Sequence, residues 1–389
     1  MNNIEEKNEI VVRRYQEGDE KTIIELMKPY WKHFNSDKAR DFWEWEYMTC
    51  PRGQAVILLA EHNGEIVGHY ATLPMEMTFE KLIITGGKAE GAVVDPNYRG
   101  NIAQKFGFKE KDVRIWGKLV ENIFGAAEKE HIDMIWGFPS EATVKSHARV
   151  GYHFLNFPLT ILTLPIDVKK VIHDRFAPQI RNKHLLNFLV FVSKIYYKFR
   201  TINLFHRKPK VKKNQEIIVP QITGHDLDDR IDQFWDKYFA ENKCITIKRD
   251  RRYVSWRFIE NPVIPHHVFV CERHNKITGY VVTNIQNGHK MGNIVDILGL
   301  EGSEDDLFVL IEHIIQFLKN KGVISVNVWF ANNKFSEKYV KILKTHGFIA
   351  LPTQKHKKMV VKILNQNLNQ EFMYDLENWY ITMAFTEGV

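Results

Sequence analysis

The chain contains an internal repeat with a period of about 200 residues. Residues 42–47 (FWEWEY) return as residues 253–258 (YVSWRF). Each copy has a Trp, a Pro six residues later and a Gly seventeen residues after that, namely Trp45, Pro51 and Gly68, then Trp256, Pro262 and Gly279. Solenoid repeats recur every ~20–50 residues, so this much longer period indicates that a whole domain has been duplicated.

The length of 389 residues fits two such domains and a connector. We predict the boundaries 1–165, 166–214 and 215–389. The three cysteines are widely spaced and form no CxxC pair, which predicts neither a disulfide framework nor a zinc site. The chain starts without a signal-peptide pattern, and no apolar run approaches the ~18–20 residues of a membrane span. We therefore expect a cytoplasmic protein.

The net charge of +7 is concentrated in the connector. Residues 166–214 contain thirteen Lys and Arg against two Asp, or +11, so the rest of the chain sums to −4. An apolar run at 185–192 is followed by Lys194, Lys198 and Arg200, a pattern that predicts an amphipathic basic helix. Such a helix, with the basic stretch up to 213, can lie on an anionic membrane surface or hold a polyanionic substrate. It can equally be a linker helix that packs its apolar face on the domains.

Both halves have the same predicted order of elements. In the first half the pattern predicts strand 10–14, helix 20–34, a Trp-rich helical segment 38–48, strands 55–61, 66–75, 80–85 and 87–94, helix 114–130, strand 134–137, helix 141–150 and a strand from Tyr152. The second half repeats this order from residue 217 and ends in a strand at 378–383. Mixed strands with helices on both faces predict an α/β fold, with a mixed central β-sheet flanked by helices in each half.

Several motifs of the first half resemble those of a known superfamily. They are Gly68-His69-Tyr70, the strand end at 93–100 (VVDPNYRG), a long helix, a strand, and a short helix ending in residues 149–152 (RVGY). In this order they resemble the GNAT superfamily of N-acyltransferases, clearly over 10–160 and more weakly over 217–389. The segment 137–141 is similar to the GFPNEN stretch of bacterial members, some of which are linked to cell-surface glycan synthesis. The resemblance implies two tandem GNAT-like domains, acetyl-CoA or another acyl-CoA as co-substrate, and no metal.

The resemblance also places the coenzyme A pyrophosphate at the start of the long helix. A helix N-terminus offers unpaired N–H groups and the positive end of the helix dipole. Residues 114–119 (RIWGKL) match the family spacing Arg-x-x-Gly-x-Gly/Ala except at the last position. The insertion 101–113, which most relatives lack, is a flap over the cofactor, a contact for the acceptor or a surface excursion. The residues assigned to the cofactor are Val93, Val94, Arg99, Gly100, Arg114, Gly117, Lys118 and Ser140.

Some of these assignments have a structural alternative. Val93 and Val94 would offer backbone groups to the pantetheine arm, but they can also be plain core residues. Ser140 stands where relatives often place a cofactor-binding Asn, and it can equally be the N-cap of the helix predicted at 141–150.

The second copy has an acidic segment where the first has its basic loop. Residues 301–306 (EGSEDD) follow the strand that corresponds to 87–94. One carboxylate about 6 Å from a phosphate charge costs roughly 2.8 kcal/mol at an effective dielectric of ~20. The acidic residues instead complement the dipole of an ordinary helix N-terminus. We therefore predict that the second domain does not bind the cofactor.

Two residues are candidate catalysts. Acylation of an amine by a thioester requires a neutral amine and a stabilised leaving thiolate, so a base and a proton donor both help. Glu90 lies where this superfamily often carries its base, although it can instead form an ion pair with a nearby Lys. His147 occupies the position of the family's leaving-group Tyr, four residues before Gly151, although it can also be an ordinary solvent-facing helix residue.

The nature of the acceptor is suggested only by aromatic density. Trp43, Trp45, His69, Tyr70 and Trp136 can line a pocket that stacks on a sugar, but for Trp45 and Trp256 we favour a core position. The leading hypothesis is an N-acyltransferase acting on a primary amine of a small molecule, with an amino sugar or glycan precursor as first candidate and no nucleic acid as partner. The alternatives are a peptidyltransferase that uses aminoacyl-tRNA, and a non-catalytic binding module.

Overall fold

The computed structural model of the protein describes residues 10–31, 36–99, 115–140, 143–202, 217–224, 226–286, 288, 290–351 and 355–386. The strands are β1 Val11–Arg14, β2 Val56–His62, β3 Glu65–Phe79, β4 Leu82–Val94, β5 Met134–Gly137, β6 His153–Pro165, β7 Gln221–Ile222, β8 Thr246–Ile247, β9 His266–Arg273, β10 Lys276–Gln286, β11 Met291–Gly299, β12 Ser325–Ala331, β13 Ile349–Ala350 and β14 Lys355–Ile363. The helices are α1 Glu20–Met27, α2 Ala39–Trp43, α3 Ile115–Lys129, α4 Val144–Arg149, α5 Val168–Phe176, α6 Lys183–Ile202, α7 Asp229–Glu241, α8 Arg251–Val254, α9 Glu304–Asn320, α10 Lys334–Thr345 and α11 Gln370–Tyr374.

The chain forms two compact units, and each takes residues from separate parts of the sequence. Unit 1 consists of Met1–Met77, Leu82–Asn156 and Lys358–Tyr374. Unit 2 consists of Thr78–Lys81, Phe157–Lys357 and Asp375–Val389. The boundaries 1–165, 166–214 and 215–389 stay a prediction.

The sheet of unit 1 has the strand order β1-β2-β3-β4-β5-β14. The pair β4 and β5 is parallel, with Gly86 opposite Met134 and Lys88 opposite Trp136. The strand β14 comes from the C-terminal part of the chain and pairs antiparallel with β5, Val360 opposite Gly137. Helix α3 buries the positions expected of a 3.6-residue period against β2 and β3, so its apolar face forms the core of this unit: Ile115, Leu119, Val120, Ile123 and Ala127.

The sheet of unit 2 has the strand order β6-β12-β11-β10-β9-β7. Its parallel pair is β11 and β12, with Met291 opposite Ser325 and Asn293 opposite Asn327. Helix α9 covers β10, and its buried face includes Leu307, Leu310, Ile311, Ile314 and Leu318. In the described part of each unit, a parallel strand pair has three paired positions, and a long helix connects its two strands along the chain.

The repeated Trp segments adopt the same local structure. Helix α2 continues into a π-helical turn at Glu44–Met48, and α8 continues into one at Ser255–Ile259. Both turns bury their Trp, because Trp45 and Trp256 lie in the cores, as predicted. After each turn the chain forms strand, tight turn, strand, strand, helix, strand and helix in the same order. The order of elements is thus the same in both halves, whereas the duplication itself stays a prediction.

Three predicted elements of unit 1 differ from the structure. The two strands predicted at 80–85 and 87–94 form one continuous strand, β4. The turn at Glu80 joins this strand directly to β3. Helix 20–34 is wrong in length: α1 ends at Met27 and gives way to a 3₁₀ turn that contains Pro29, which cannot donate a helical hydrogen bond. The helix predicted at 141–150 begins only at Val144.

The strand predicted at 378–383 is wrong. This part of unit 2 consists of two 3₁₀ turns, Leu376–Asn378 and Met383–Phe385, with single-residue bridges at Trp379 and Thr382. The amphipathic helix predicted around 185–200 is present as α6. None of the described helices is long and apolar enough to cross a membrane.

Candidate active site

The strand β4 of unit 1 changes direction at Gly91. This residue has a φ of 61°, in the left-handed region that favours glycine. Among the described residues, the parallel pairing of β4 with β5 ends at Lys88, whereas β4 runs on to Val94. Residues 89–94 therefore extend beyond this pairing beside the end of β5, and two of their carbonyl oxygens, those of Gly91 and Val94, already accept from His69 and Arg99.

His69 holds this bend in place. Its Nδ1 lies 2.7 Å from the Gly91 carbonyl oxygen and donates to it in the neutral tautomer. The imidazole is fully buried, and its Nε2 has no hydrogen-bond partner among the described residues. The ring of Tyr47 packs edge-on against it with 5.5 Å between centroids. His69 thus links β3 to the bend of β4, and its Nε2 can still accept a hydrogen bond.

The bend at Gly91 should not tolerate a side chain. An added Cβ would lie 2.6 Å from the Tyr47 Oη and 2.8 Å from the His69 Cε1. We expect Gly91→Ala to lower the free energy of unfolding by about 1–2 kcal/mol through backbone strain alone. Urea unfolding measures this change.

The matched control for this substitution is Gly125→Ala. Gly125 lies in α3, and an added Cβ there would meet no atom within 4 Å. We expect Gly125→Ala to raise the free energy of unfolding by about 0.5–1 kcal/mol, since Ala favours the helix interior. Equal effects of the two substitutions would contradict a strained, close-packed bend.

The buried His69 predicts a stability that falls in acid. Burial lowers the pKa of His69 to about 4, because the imidazolium loses its hydration. An unfolded His titrates near 6.5, so the unfolded chain takes up this proton first as the pH falls. The free energy of unfolding should therefore decrease between pH 6.5 and 4, by up to roughly 3 kcal/mol from this group. Urea unfolding at several pH values should show a flatter profile for His69→Gln, and an unchanged profile in a folded variant would contradict this role.

Glu90 directly precedes the bend and forms an ion pair. Its Oε2 lies 3.0 Å from the Nζ of Lys88, two residues earlier on the same strand. The Glu90 side chain is a quarter exposed, whereas that of Lys88 is a tenth exposed. The negative charge of Glu90 is also close enough to contribute to the raised pKa of the Tyr47 and Tyr70 hydroxyls, which burial chiefly causes. Glu90 is thus a partly solvated carboxylate beside buried hydroxyl groups.

Four rings form a cluster beside the start of α3. The Tyr70 and Tyr152 hydroxyls lie 2.6 Å apart and share a hydrogen bond. Burial raises the pKa of both hydroxyls well above the usual 10, so each keeps its proton at neutral pH. The Trp116 ring contacts Tyr70 at 5.1 Å and His147 at 5.0 Å between centroids. The cluster therefore brings two protonated hydroxyls and an imidazole to the helix that the sequence assigns to the cofactor.

His147 is not the solvent-facing residue that the alternative interpretation described. It is 5% exposed, and its Nδ1 lies 2.8 Å from the Thr143 carbonyl oxygen. Burial lowers its pKa, so the imidazole is neutral at pH 7 and is a weak proton donor. Its role as leaving-group acid stays a prediction, and the neighbouring Tyr152 hydroxyl keeps its proton more firmly.

The other predicted cofactor residues are spread over unit 1. Val93 is buried, Val94 packs against the core, and Asp95 ties the end of β4 to the Val67 carbonyl oxygen through a 2.8 Å hydrogen bond. Arg99 donates from Nε to the Val94 carbonyl oxygen at 2.6 Å and from Nη2 to the Tyr30 hydroxyl. Gly100, Arg114 and the insertion 101–113 lie outside the described residues.

Gly117, Lys118 and Ser140 have structural surroundings of their own. Gly117 lies in the first turn of α3, one residue after Trp116. Lys118 donates to the Ile10 carbonyl oxygen at 3.3 Å, which points it towards the N-terminal strand. Ser140 shares a 3.1 Å hydrogen bond with the Thr143 hydroxyl, and Thr143 is the N-cap of α4, so the N-cap alternative for Ser140 is wrong.

The equivalent region of unit 2 is filled by its own chain. Beyond the paired part of β11 and β12, the segment 379–385 hydrogen-bonds to both strands. The Tyr380 hydroxyl donates to the Ile297 carbonyl oxygen at 2.6 Å, and the Ala331 N–H donates to the Ile381 carbonyl oxygen at 3.0 Å. Six apolar side chains of this segment are buried, namely Trp379, Tyr380, Ile381, Met383, Ala384 and Phe385.

The start of α9 in unit 2 is also occupied. Asp306 in its first turn is 3% exposed and accepts hydrogen bonds from Arg273 Nε at 3.3 Å and from the Thr278 hydroxyl at 2.7 Å. This carboxylate complements the helix dipole and adds negative charge to the first turn of the helix, which disfavours a bound anion there.

Comparison with known proteins bears on unit 1. The family model described as acetyltransferase (GNAT) domain matches residues 11–154, which include β4, the bend at Gly91, α3 and the ring cluster. Residues 11–154 match the GNAT domain family. No curated protein matches the chain in sequence.

Solved structures share the fold of this protein at low sequence identity. A probable N-acyltransferase from Enterococcus faecalis V583 has a TM-score of 0.57 at 13% identity, covering 92% of this chain and 73% of its own. A GCN5-related N-acetyltransferase from Anabaena variabilis ATCC 29413 has a TM-score of 0.56 at 9% identity, with the same coverage. A GCN5-related N-acetyltransferase from Kribbella flavida has a TM-score of 0.55 at 10% identity, covering 92% and 71%.

Two features of the candidate site are absent from the sequence analysis. The hydrogen bond between Tyr70 and Tyr152 joins residues 82 positions apart, so no local pattern reports it. The bend at Gly91 does leave a signal, because an isolated Gly inside a strand pattern is typical of a bulge. Among the described residues, no group of three or more His, Cys, Asp or Glu could hold a metal ion.

Proposed function

We propose that this protein is an acyl-CoA-dependent N-acyltransferase that acylates a primary amine of a small molecule, with an amino sugar or glycan precursor as first candidate. The observation that carries the proposal is the GNAT family match over residues 11–154, which contain the bent strand β4 with Glu90 beside it. The acetyl group is the first candidate for transfer, because the matching family is described as acetyltransferase.

The residues of unit 1 fit such a co-substrate. An added Cβ at Gly91 would fill the space beside Tyr47 and His69, so only glycine allows the backbone to bend there. Residues 89–94 would hold the pantetheine arm through backbone groups, and the start of α3 with Arg114 would hold the pyrophosphate. When bound, acyl-CoA supplies an activated thioester carbonyl.

The protein's own groups would then move and hold protons. Glu90, partly solvated, accepts a proton from the incoming ammonium and so keeps the amine neutral. Its ion pair with Lys88 orients the carboxylate. One of the Tyr70 and Tyr152 hydroxyls donates to the other, and the remaining O–H of the pair would donate a hydrogen bond to the leaving sulfur. The buried rings of Trp116 and His147 exclude water from this side of the site.

We also infer that unit 2 is a degenerate GNAT-like copy that does not bind acyl-CoA. The order of its elements supports the copy, and the segment 379–385 together with Asp306 supports the loss of binding. Its role would be to support unit 1 or to shape the acceptor site.

A direct test measures coenzyme A binding and release. We expect mass spectrometry of the native protein to detect retained coenzyme A, and acetyl-CoA to raise the melting temperature. Free thiol should appear when acetyl-CoA and an amino sugar are both present. Arg114→Glu should abolish the thermal shift, since it puts a negative charge beside the pyrophosphate.

The control for Arg114→Glu is Lys129→Glu, the same change of charge at the other end of α3, where Lys129 is exposed. It should leave the thermal shift intact. Binding that survives Arg114→Glu would place the phosphate site elsewhere, and a wild-type protein that neither binds nor hydrolyses acyl-CoA would overturn the proposed function.

A further inference from the structure

Helix α6 of unit 2 has two apolar faces, and one of them is exposed. Leu186 and Val190 are buried, and the Tyr197 hydroxyl donates to the Gly347 carbonyl oxygen at 3.0 Å, so this side fixes the helix on unit 2. The opposite side presents seven large apolar side chains to solvent: Leu185, Phe188, Phe191, Val192, Ile195, Tyr196 and Phe199. Because the helix is already anchored by its other face, burial within unit 2 does not account for this stripe.

The exposed stripe is continuous and rich in aromatic rings. Phe188, Phe191 and Phe199 are 60%, 61% and 70% exposed, values more typical of polar surface residues. At 3.6 residues per turn, positions 188, 192, 195 and 199 fall on one line along the helix. Soluble proteins seldom expose such a large apolar patch unless something binds to it.

The charge around the stripe indicates what binds. Lys194 and Lys198 flank it on one side. From residue 183 to 214 the sequence contains nine Lys and Arg and no Asp or Glu. An amphipathic helix with aromatic residues on one face and only basic charges beside it has the composition of helices that lie in the interface of an anionic bilayer.

We propose that α6 docks this protein on an anionic membrane surface, with the stripe of Leu185, Phe188, Phe191, Val192, Ile195, Tyr196 and Phe199 inserted among the lipids. The positive charges of Lys194 and Lys198 then lie beside the lipid phosphates. The helix lies in the plane of the surface, since Leu186, Val190 and Tyr197 keep its other face on unit 2.

Vesicle flotation of the full chain tests this proposal. We use vesicles of phosphatidylcholine alone and of phosphatidylcholine with about one third phosphatidylglycerol, since binding of basic segments depends on anionic lipid. We expect at least about tenfold stronger binding to the anionic vesicles, weakened by salt. Replacing Phe188, Phe191 and Phe199 together by Ser should reduce binding more than about tenfold.

Two matched controls separate apolar from electrostatic contributions. Ile218→Ser removes an apolar side chain that is 53% exposed away from α6, and it should leave binding unchanged. Lys194→Glu with Lys198→Glu should weaken binding by at least about 25-fold, given about fivefold per basic residue near the surface. Lys319→Glu makes the same change of charge at the exposed end of α9, and it should leave vesicle binding unchanged.

Four outcomes would overturn the proposal. They are absence of binding, equal binding to neutral and anionic vesicles, a dimer in sedimentation that the triple Ser variant converts to monomer, and tighter binding of RNA than of vesicles that the same variant removes. Acyl transfer assayed without vesicles should be unchanged in the triple variant, so failure of membrane docking is distinct from failure of the proposed enzyme function.

Discussion

Glu90→Gln is expected to lower kcat/KM for acyl transfer by about 10²- to 10⁴-fold, the range of a lost general base. The substitution keeps the shape of the side chain and removes only its ability to accept a proton. Glu90 is partly exposed, so the fold should survive. Steady-state kinetics over a range of pH measures the effect, and the acidic limb of the profile should disappear in the variant.

Two controls test whether Glu90 acts through its proton or only through its ion pair. Glu76→Gln removes another paired carboxylate of unit 1, that of the Arg52 pair at 2.8 Å, and should leave kcat/KM unchanged. Lys88→Met breaks the Glu90 pair and keeps the carboxylate. If Lys88→Met reduces activity as much as Glu90→Gln, and both keep the acidic limb, Glu90 is a positioning residue and the assignment as base is wrong.

Asp296→Ala is expected to lower the free energy of unfolding of unit 2 by about 3–5 kcal/mol. Asp296 and Arg249 form a pair with side chains 0% and 1% exposed and 3.1 Å between Arg249 Nε and Asp296 Oδ2. Asp296 also accepts hydrogen bonds from the Tyr280 and Thr382 hydroxyls, both at 2.7 Å. Its loss leaves a buried guanidinium without its counter-charge. Urea unfolding followed by tryptophan fluorescence measures the change.

The control for Asp296→Ala is a substitution in an exposed ion pair of the same unit. Asp174 lies 2.6 Å from the Lys290 Nζ, with both side chains about half exposed. Asp174→Asn should change the free energy of unfolding by less than about 1 kcal/mol. Joint replacement of Arg249 by Met and Asp296 by Leu should cost less than Asp296→Ala alone, because no charge is then left buried. A small effect of Asp296→Ala would contradict this account of the pair.

The sequence predicts those parts of the fold that local patterns control. The repeated order of Trp, Pro and Gly predicts both helical segments, because each of these residue types restricts the local conformation of the chain. Helix α3 was predicted within one residue at each end, since its apolar period is regular. The single strand β4 was predicted as two because Gly86 and Gly87 resemble a turn, whereas in the sheet they pair with Met134 and Ile135.

The parts that distant contacts control were not predictable. The apolar pattern at 378–383 suits a strand, but the segment pairs with Ile245 and Phe330 at single residues only, and those partners are far away in sequence. In the site, the position of Glu90 on its strand follows from the motif. The contact of His69 with Gly91 and the joined hydroxyls of Tyr70 and Tyr152 require the folded sheet, since they depend on a positive φ and on long-range packing.

The pairing of β14 with β5 affects how the protein is made. A ribosome releases residues 358–363 more than 200 residues after β5, so the sheet of unit 1 must wait for its last strand. Until then β5 has an open edge with unpaired N–H and C=O groups, which is a template for aggregation. A fragment that ends at residue 165 would keep that open edge permanently. Nascent chains of this protein should therefore need chaperones until β14 has been synthesised.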